Sequence, residues 1–240
     1  MGHKELILEK VKEPPSIEPD PQGVSLSSRL SAYRDRSREL RPDIAKAYDD
    51  LVKRLAALDA GAVGPATDSM MPSFNLPDEN GSLVSLEALR QNGPVVVSFN
   101  RGHWCPYCKL DLRALAANYE RIRALGASIV SIMPERTQFT ANYVKELELP
   151  FPVLSDIDLG YAMSLGLIFW VGDEVERLYK SVGIDLDRYQ GRDGFFLPMA
   201  AKFIVGRDGR VKARQVNLEF RERMEPEAII AALARLSVKG

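Results

Sequence analysis

The chain has 240 residues, 45% hydrophobic and 27% charged, enough apolar material for one cored domain with an extension or for two small domains. Its formal net charge is −1, which removes any global electrostatic case for binding nucleic acid or an anionic membrane. No run approaches the roughly 18 apolar residues of a membrane helix, and Met1-Gly2-His3-Lys4-Glu5-Leu6 puts charges where a signal peptide needs an apolar core, so a cytoplasmic location is expected.

Residues 1–24 are polar and carry Pro14, Pro15, Pro19 and Pro21, which resist helix, and they read as a loose arm. From Ser25 the character becomes helical. Pro42 suits a first turn, and Ile44, Tyr48, Leu51, Leu55 and Leu58 recur at helical spacing, with Asp49, Asp50, Lys53 and Arg54 expected to face water. Gly61 and Gly64 end this pattern. Residues 1–62 are therefore an arm plus a helical extension, packed on the main domain or across a dimer interface. Residues 63–240 form the main domain.

That domain opens with a short strand and turn through Pro72–Gly81, a returning strand at Val84–Leu86 and a helical turn to Arg90. Val95-Val96-Val97-Ser98-Phe99 is apolar without alternation, as a strand buried on both faces would be. A helix with Leu110, Leu112, Leu115, Tyr119, Ile122 and Leu125 on one face runs to Gly126, and Ile129–Met133 is the next buried strand, giving a βαβ unit. A helix at Phe139–Leu147, a strand at Phe151–Leu154 and a helical turn at Asp158–Leu165 follow. Residues 166–197 look irregular apart from a helix at Asp173–Ser181. A hairpin of Ala201–Val205 and Val211–Val216 and a helix at Glu225–Leu236 close the chain. This order describes an α/β, thioredoxin-like fold: a central mixed sheet with helices on both faces.

Between the first buried strand and its helix lies Asn100-Arg101-Gly102-His103-Trp104-Cys105-Pro106-Tyr107-Cys108-Lys109, which holds both cysteines of the protein. A helix N-terminus offers unpaired donors and partial positive charge, and both favour a thiolate. Pro106 fits the first helical turn, so Cys105 falls at the helix start and Cys108 inside its first turn. Arg101 and His103 are candidate cationic helpers, Trp104 a shield, and Tyr107 a flanking contact. His103, Cys105 and Cys108 are three plausible metal ligands, but a structural zinc takes four and the other histidine, His3, lies in the arm, so redox chemistry is the preferred reading. No metal or cofactor is expected beyond an external thiol reductant.

Val63-Gly64, Pro72-Ser73-Phe74-Asn75-Leu76-Pro77-Asp78, Gly81 and Val84-Ser85-Leu86 are similar to the opening of peroxiredoxins of the alkyl hydroperoxide reductase and thiol-specific antioxidant (AhpC/TSA) superfamily. Val95 to Cys108, followed by Leu110-Asp111-Leu112-Arg113, resembles that superfamily's C-x-x-C branch. The resemblance spans about residues 63–236 and implies a thioredoxin fold, thiol redox chemistry and commonly a homodimer. Matching the family's P-x-x-x-T/S-x-x-C to Cys108 places Arg101 at the proline and Cys105 at the threonine, while Ala200 falls where a later arginine is expected. Lys202 or Arg101 would then have to supply positive charge. The thioredoxin-type proline opposite the cysteines would also fall near Ala200, with Pro198 two residues off.

Two enzymatic readings follow. As an antioxidant thiol peroxidase acting on hydrogen peroxide or organic hydroperoxides, Cys108 attacks, Cys105 resolves, and a thioredoxin- or glutathione-type donor reduces the disulfide. As a disulfide reductase, Cys105 attacks a substrate disulfide and Cys108 resolves. The domain opening favours the first, and the C-x-x-C spacing with the missing threonine and arginine favours the second. A low-turnover redox sensor or adaptor is the reading from another class.

Overall fold

A computed structural model describes residues 23–57 and 64–237. Nearly all of the expected arm, Leu58, Gly61 and the boundary between residues 62 and 63 lie outside the described residues.

The extension is a pair of helices, α1 (Leu26–Leu40) and α2 (Pro42–Ala57). Ser25 caps α1 by accepting from the Ser28 N–H at 3.1 Å, and Pro42 opens α2, where its missing donor costs nothing. α1 buries Leu26, Leu30 and Tyr33, and α2 buries Ile44, Ala45, Ala47, Leu51 and Leu55.

The main domain runs β1 (Asn75–Pro77), β2 (Leu83–Ser85), α3 (Leu86–Asn92), β3 (Val95–Phe99), α4 (Pro106–Ala117), α5 (Tyr119–Ala124), β4 (Ser128–Met133), α6 (Thr137–Leu147), β5 (Val153–Ser155) and α7 (Gly160–Ser164). It continues through β6 (Ile168–Trp170), α8 (Asp173–Ser181), α9 (Leu186–Gln190), β7 (Phe196–Pro198), β8 (Ala201–Val205), β9 (Val211–Val216) and α10 (Pro226–Ser237). The central sheet has the order β5-β4-β3-β8-β9, with β3, β4 and β5 parallel and β8 and β9 antiparallel. β3 is the middle strand: Val97 pairs with Val130 on one side and Phe203 on the other. Its side chains alternate between two buried clusters. Val95, Val97 and Phe99 join the cluster that contains both cysteines and the extension, while Val96 joins Leu112, Ile122, Ile129, Ile204, Ile229 and Leu233 on the opposite face. This is the thioredoxin-like layout expected from the element order.

Three local expectations are corrected. The long helix after Cys108 breaks at Asn118, whose side-chain amide donates to the Ala114 carbonyl at 2.9 Å, so one apolar stripe is shared by α4 and α5. The segment 166–197 is more regular than its composition suggests, because β6 and β7 pair antiparallel and α9 lies between α8 and β7. Asp49 and Arg54 do not simply face water. Asp49 accepts from Arg221 at 2.8 Å, and Arg54 donates to the Trp170 and Val171 carbonyls at 2.8 and 3.0 Å. These bonds tie α2 down beside α8, and Arg29 ties α1 to α4 by donating to the Leu110 carbonyl at 3.2 Å. No helix among the described residues is long and apolar enough to cross a membrane.

Candidate active site

The C-terminal end of β3 delivers the chain into Arg101 and Gly102, and Cys105 becomes the N-cap residue of α4 in extended conformation with Pro106 directly behind it. Gly102 has φ +147, and a Cβ there would lie 2.5 Å from Trp104 Nε1 and 2.6 Å from Glu135 Oε1, so only glycine fits this turn. Cys105 and Cys108 are both 0% exposed, and both are free thiols.

Arg101 is the centre of the arrangement. It is 1% exposed, and its Nη2 donates to Cys105 Sγ at 3.1 Å while its backbone N–H donates to Cys108 Sγ at 3.4 Å. The guanidinium lies 3.8 Å from the Phe220 ring centroid and 5.4 Å from that of Trp104, an aromatic enclosure that suits a weakly hydrated planar cation. Its Nε and Nη1 have no partner among the described residues. Burial opposes its charge, but Cys105, Tyr179 and Tyr48 hold its pKa well above the ordinary arginine value.

The two thiols are pushed apart. Burial opposes the Cys105 thiolate, yet the Cys108 thiol, Arg101 and Arg223 together hold the Cys105 pKa well below the usual thiol value. Burial and the neighbouring Cys105 push Cys108 well above it. These directions favour ionisation of Cys105 over that of Cys108. Arg223, from the loop before α10, donates to Cys108 Sγ at 3.7 Å. Burial likewise raises the pKa values of Tyr33, Tyr48, Tyr107 and Tyr179, so their phenols stay neutral.

A cavity of about 370 Å³ lies against this centre, and its wall includes Arg101, His103, Trp104, Cys105, Pro106 and Tyr107. Six of the seven residues singled out in the sequence thus share one cavity. Cys108 lies behind it. His103 Nδ1 is 2.8 Å from Glu135 Oε1, and its backbone N–H donates to Oε2 of the same buried carboxylate at 2.9 Å, so His103 is oriented by Glu135 and not by the thiols. Its ring stacks on Phe139 at 5.4 Å. Trp104 packs edge-on to Tyr179 at 5.0 Å, and Tyr107 edge-on to Tyr33 at 5.1 Å.

Several members of the site gave no sequence signal. Tyr33 and Ser37 of α1 and Ile44 and Tyr48 of α2 roof the cavity, so the helical extension is part of the site. Arg223 reaches Cys108 from a stretch with no motif. Lys202, a candidate source of positive charge, is instead committed to Asp111 in a buried ion pair, with Arg223 Nε 3.6 Å from the other carboxylate oxygen. Ala200 is buried and brings no functional group, and Pro198 is held in β7 opposite Ile168.

A sequence model of the AhpC/TSA family matches residues 67–214, more than half of the chain. The chain belongs to the AhpC/TSA family. It is 34% identical over 88 residues to peroxiredoxin Q, a chloroplastic protein of Sedum lineare, across 37% of this chain and 47% of that protein. The match spans less than half the length of the plant relatives. The thiol-disulfide oxidoreductase ResA of Bacillus cereus is 24% identical over 155 residues, 64% of this chain and 72% of that one. Among solved structures, peroxidoxin BcpB from Mycobacterium tuberculosis superposes with a TM-score of 0.56 at 19% identity, over 72% of this chain and 98% of that one, a likeness of fold. The family match begins after the extension, so the helices that roof the cavity are not covered by it.

Proposed function

We propose that this chain is a thiol peroxidase in which Cys105 attacks and Cys108 resolves, the reverse of the order expected from the family's motif. The Cys105 thiolate attacks one oxygen of a hydroperoxide. The S–O bond forms, the O–O bond breaks, and the second oxygen leaves as an alcohol or water after taking a proton. The Cys108 sulfur then attacks the Cys105 sulfenic acid, forming the disulfide and releasing water, so the two electrons come from the two thiols. The observation that carries this reading is the buried Arg101 guanidinium: one arm holds the Cys105 sulfur at 3.1 Å, and two nitrogens, Nε and Nη1, have no partner among the described residues and can donate to the peroxide oxygens. It supplies, from another position, the positive charge for which Ala200 has no group.

The test is peroxide consumption with a dithiol reductant, with sulfenic acid trapping in each single variant. Cys108→Ser is expected to react once and hold a sulfenic acid on Cys105, while Cys105→Ser is inert. Sulfenic acid on Cys108 in Cys105→Ser would restore the opposite order. Peroxide left unconsumed by all forms would end the peroxidase reading.

The C-x-x-C spacing, the low pKa of Cys105 and the similarity to ResA favour a disulfide reductase as the second reading. Burial of both sulfurs argues against a protein disulfide as its substrate.

A further inference from the structure

We infer that His103, held by the buried Glu135 carboxylate, is the general acid that protonates the leaving oxygen of the hydroperoxide. The inference rests on the peroxidase reading, which needs such a proton and does not by itself say which group gives it.

Glu135 lies between β4 and α6 and is 0% exposed, yet among the described residues it pairs with no lysine or arginine. Both of its oxygens meet one residue. Oε1 lies 2.8 Å from His103 Nδ1, and Oε2 accepts the His103 backbone N–H at 2.9 Å. A carboxylate buried without a fixed cation is costly, and here its partner is an imidazole, a side chain able to become a cation. A carboxylate so placed keeps a ring proton on Nδ1 and stabilises the imidazolium when it forms. The ring is also clamped: it stacks on Phe139 at 5.4 Å, and Tyr189 and Tyr143 meet it edge-on at 4.7 and 6.3 Å. With Nδ1 on the carboxylate, the nitrogen left for chemistry is Nε2, which has no hydrogen-bond partner among the described residues. His103 stands in the wall of the cavity, two residues from Cys105.

The other ionisable donors of that wall hold their protons. Arg101 keeps its guanidinium charged, and Lys109 Nζ is bound to Glu146 at 2.5 Å. Burial raises the pKa values of Tyr33, Tyr48, Tyr107, Tyr179 and Tyr189, which makes their phenols weaker acids. Imidazole is the side chain suited to giving up a proton near neutral pH. As the Cys105 thiolate attacks, the S–O bond forms and the electron pair of the broken O–O bond goes to the second oxygen. His103 Nε2 gives that oxygen a proton, and the imidazole is left neutral with its Nδ1–H still on Glu135. The proton that the Cys105 thiol released on ionising restores the imidazolium. The thiol and the hydroperoxide ROOH thus give the sulfenic acid and ROH, with no proton or electron left over.

The experiment compares leaving groups, by single-turnover stopped flow on the full chain carrying Cys108→Ser. Hydrogen peroxide and tert-butyl hydroperoxide expel hydroxide or an alkoxide and need an acid, whereas peracetic acid expels acetate, which needs none. His103→Gln, with His103→Asn beside it, is expected to slow both hydroperoxides by about a hundredfold or more while peracetic acid stays within about threefold. Glu135→Gln, which keeps the side-chain shape but loses the charge behind the imidazolium, should show the same selective loss in smaller measure. Equal slowing of all three oxidants in the His103 variants would mean a structural role and overturn the inference. Hydroperoxide rates left unchanged in those variants would overturn it as well. Wild type no faster than free cysteine with any of the three oxidants would remove the peroxidase reading itself, before any His103 variant is compared. If Glu135→Gln fails to fold by circular dichroism, the His103 variants alone decide.

Discussion

Arg101→Met removes the guanidinium proposed to activate Cys105 while keeping a flexible apolar stem among the aromatic rings. The lost contact is a charge-assisted hydrogen bond at 3.1 Å from a residue 1% exposed. Such bonds contribute about 1.5–3 kcal/mol. At about 1.4 kcal/mol per pKa unit, the Cys105 pKa should rise by about 1 to 2 units. In the wild type the depressed pKa favours the ionised sulfur, and reactivity is lost as pH falls through that depressed value. The rate–pH profile of the variant should thus be displaced to higher pH than that of the wild type by about 1 to 2 units. Stopped-flow reaction with peroxide in a Cys108→Ser background, with thiolate absorbance as a second readout, measures both profiles on Cys105 alone. Superimposable profiles would refute the assignment of Arg101 as the group that ionises this thiol.

Gly102→Ala puts a methyl group within 2.6 Å of Glu135 Oε1 at a φ of +147, and should lower stability by more than about 1 kcal/mol together with peroxide reactivity; equilibrium denaturation beside the single-turnover rate checks both. Asp111→Asn leaves Lys202 buried without its counter-charge, and a loss of about 3–5 kcal/mol in urea unfolding is expected, against a smaller loss for Asp111→Leu/Lys202→Met. Leu51→Ala removes a fully packed anchor of the cover and should cost about 2–5 kcal/mol by calorimetry if α2 unfolds cooperatively with the sheet. A lower but separate transition for the extension would instead show that it melts alone.

The features legible in the sequence are those written over short distances. Val95–Phe99 announces a two-face-buried strand by its unbroken apolar run, and Pro106 announces a helix start, so the placement of both cysteines needed no other part of the chain. The other strands of the central sheet followed from the same local patterns. What escaped is built from distant pieces. Nothing near Arg101 foretells that Tyr48 and Phe220 will enclose it, and Arg223 meets Cys108 from 115 residues away. Asp111 lies on α4, and only the fold brings Lys202 of β8 against it, 91 residues away. The apolar stripe of α2 showed that something would be covered, but a stripe carries no address. β6 and β7 were hidden because they are three residues each and pair across two intervening helices.

On the proposed mechanism, the enclosure of Arg101 would also set the redox poise of the pair. In the dithiol form the guanidinium has the Cys105 thiolate as its counter-ion. Were the disulfide to form, that negative charge would disappear, and the cation would be left beside the Phe220 ring, 3.8 Å away, with no hydrogen-bonded carboxylate among the described residues to replace it. A buried charge without a partner is costly, so oxidation destabilises the surroundings of the disulfide it creates. The midpoint potential moves in the oxidising direction, as in thioredoxin-fold proteins whose reduced form is selectively stabilised. With a charge-assisted bond of about 1.5–3 kcal/mol at stake, and 30 mV equal to about 1.4 kcal/mol for two electrons, the shift from this contact is about 30 to 60 mV. On the proposed mechanism, the residue that makes Cys105 quick to oxidise would also make the resulting disulfide easier to reduce.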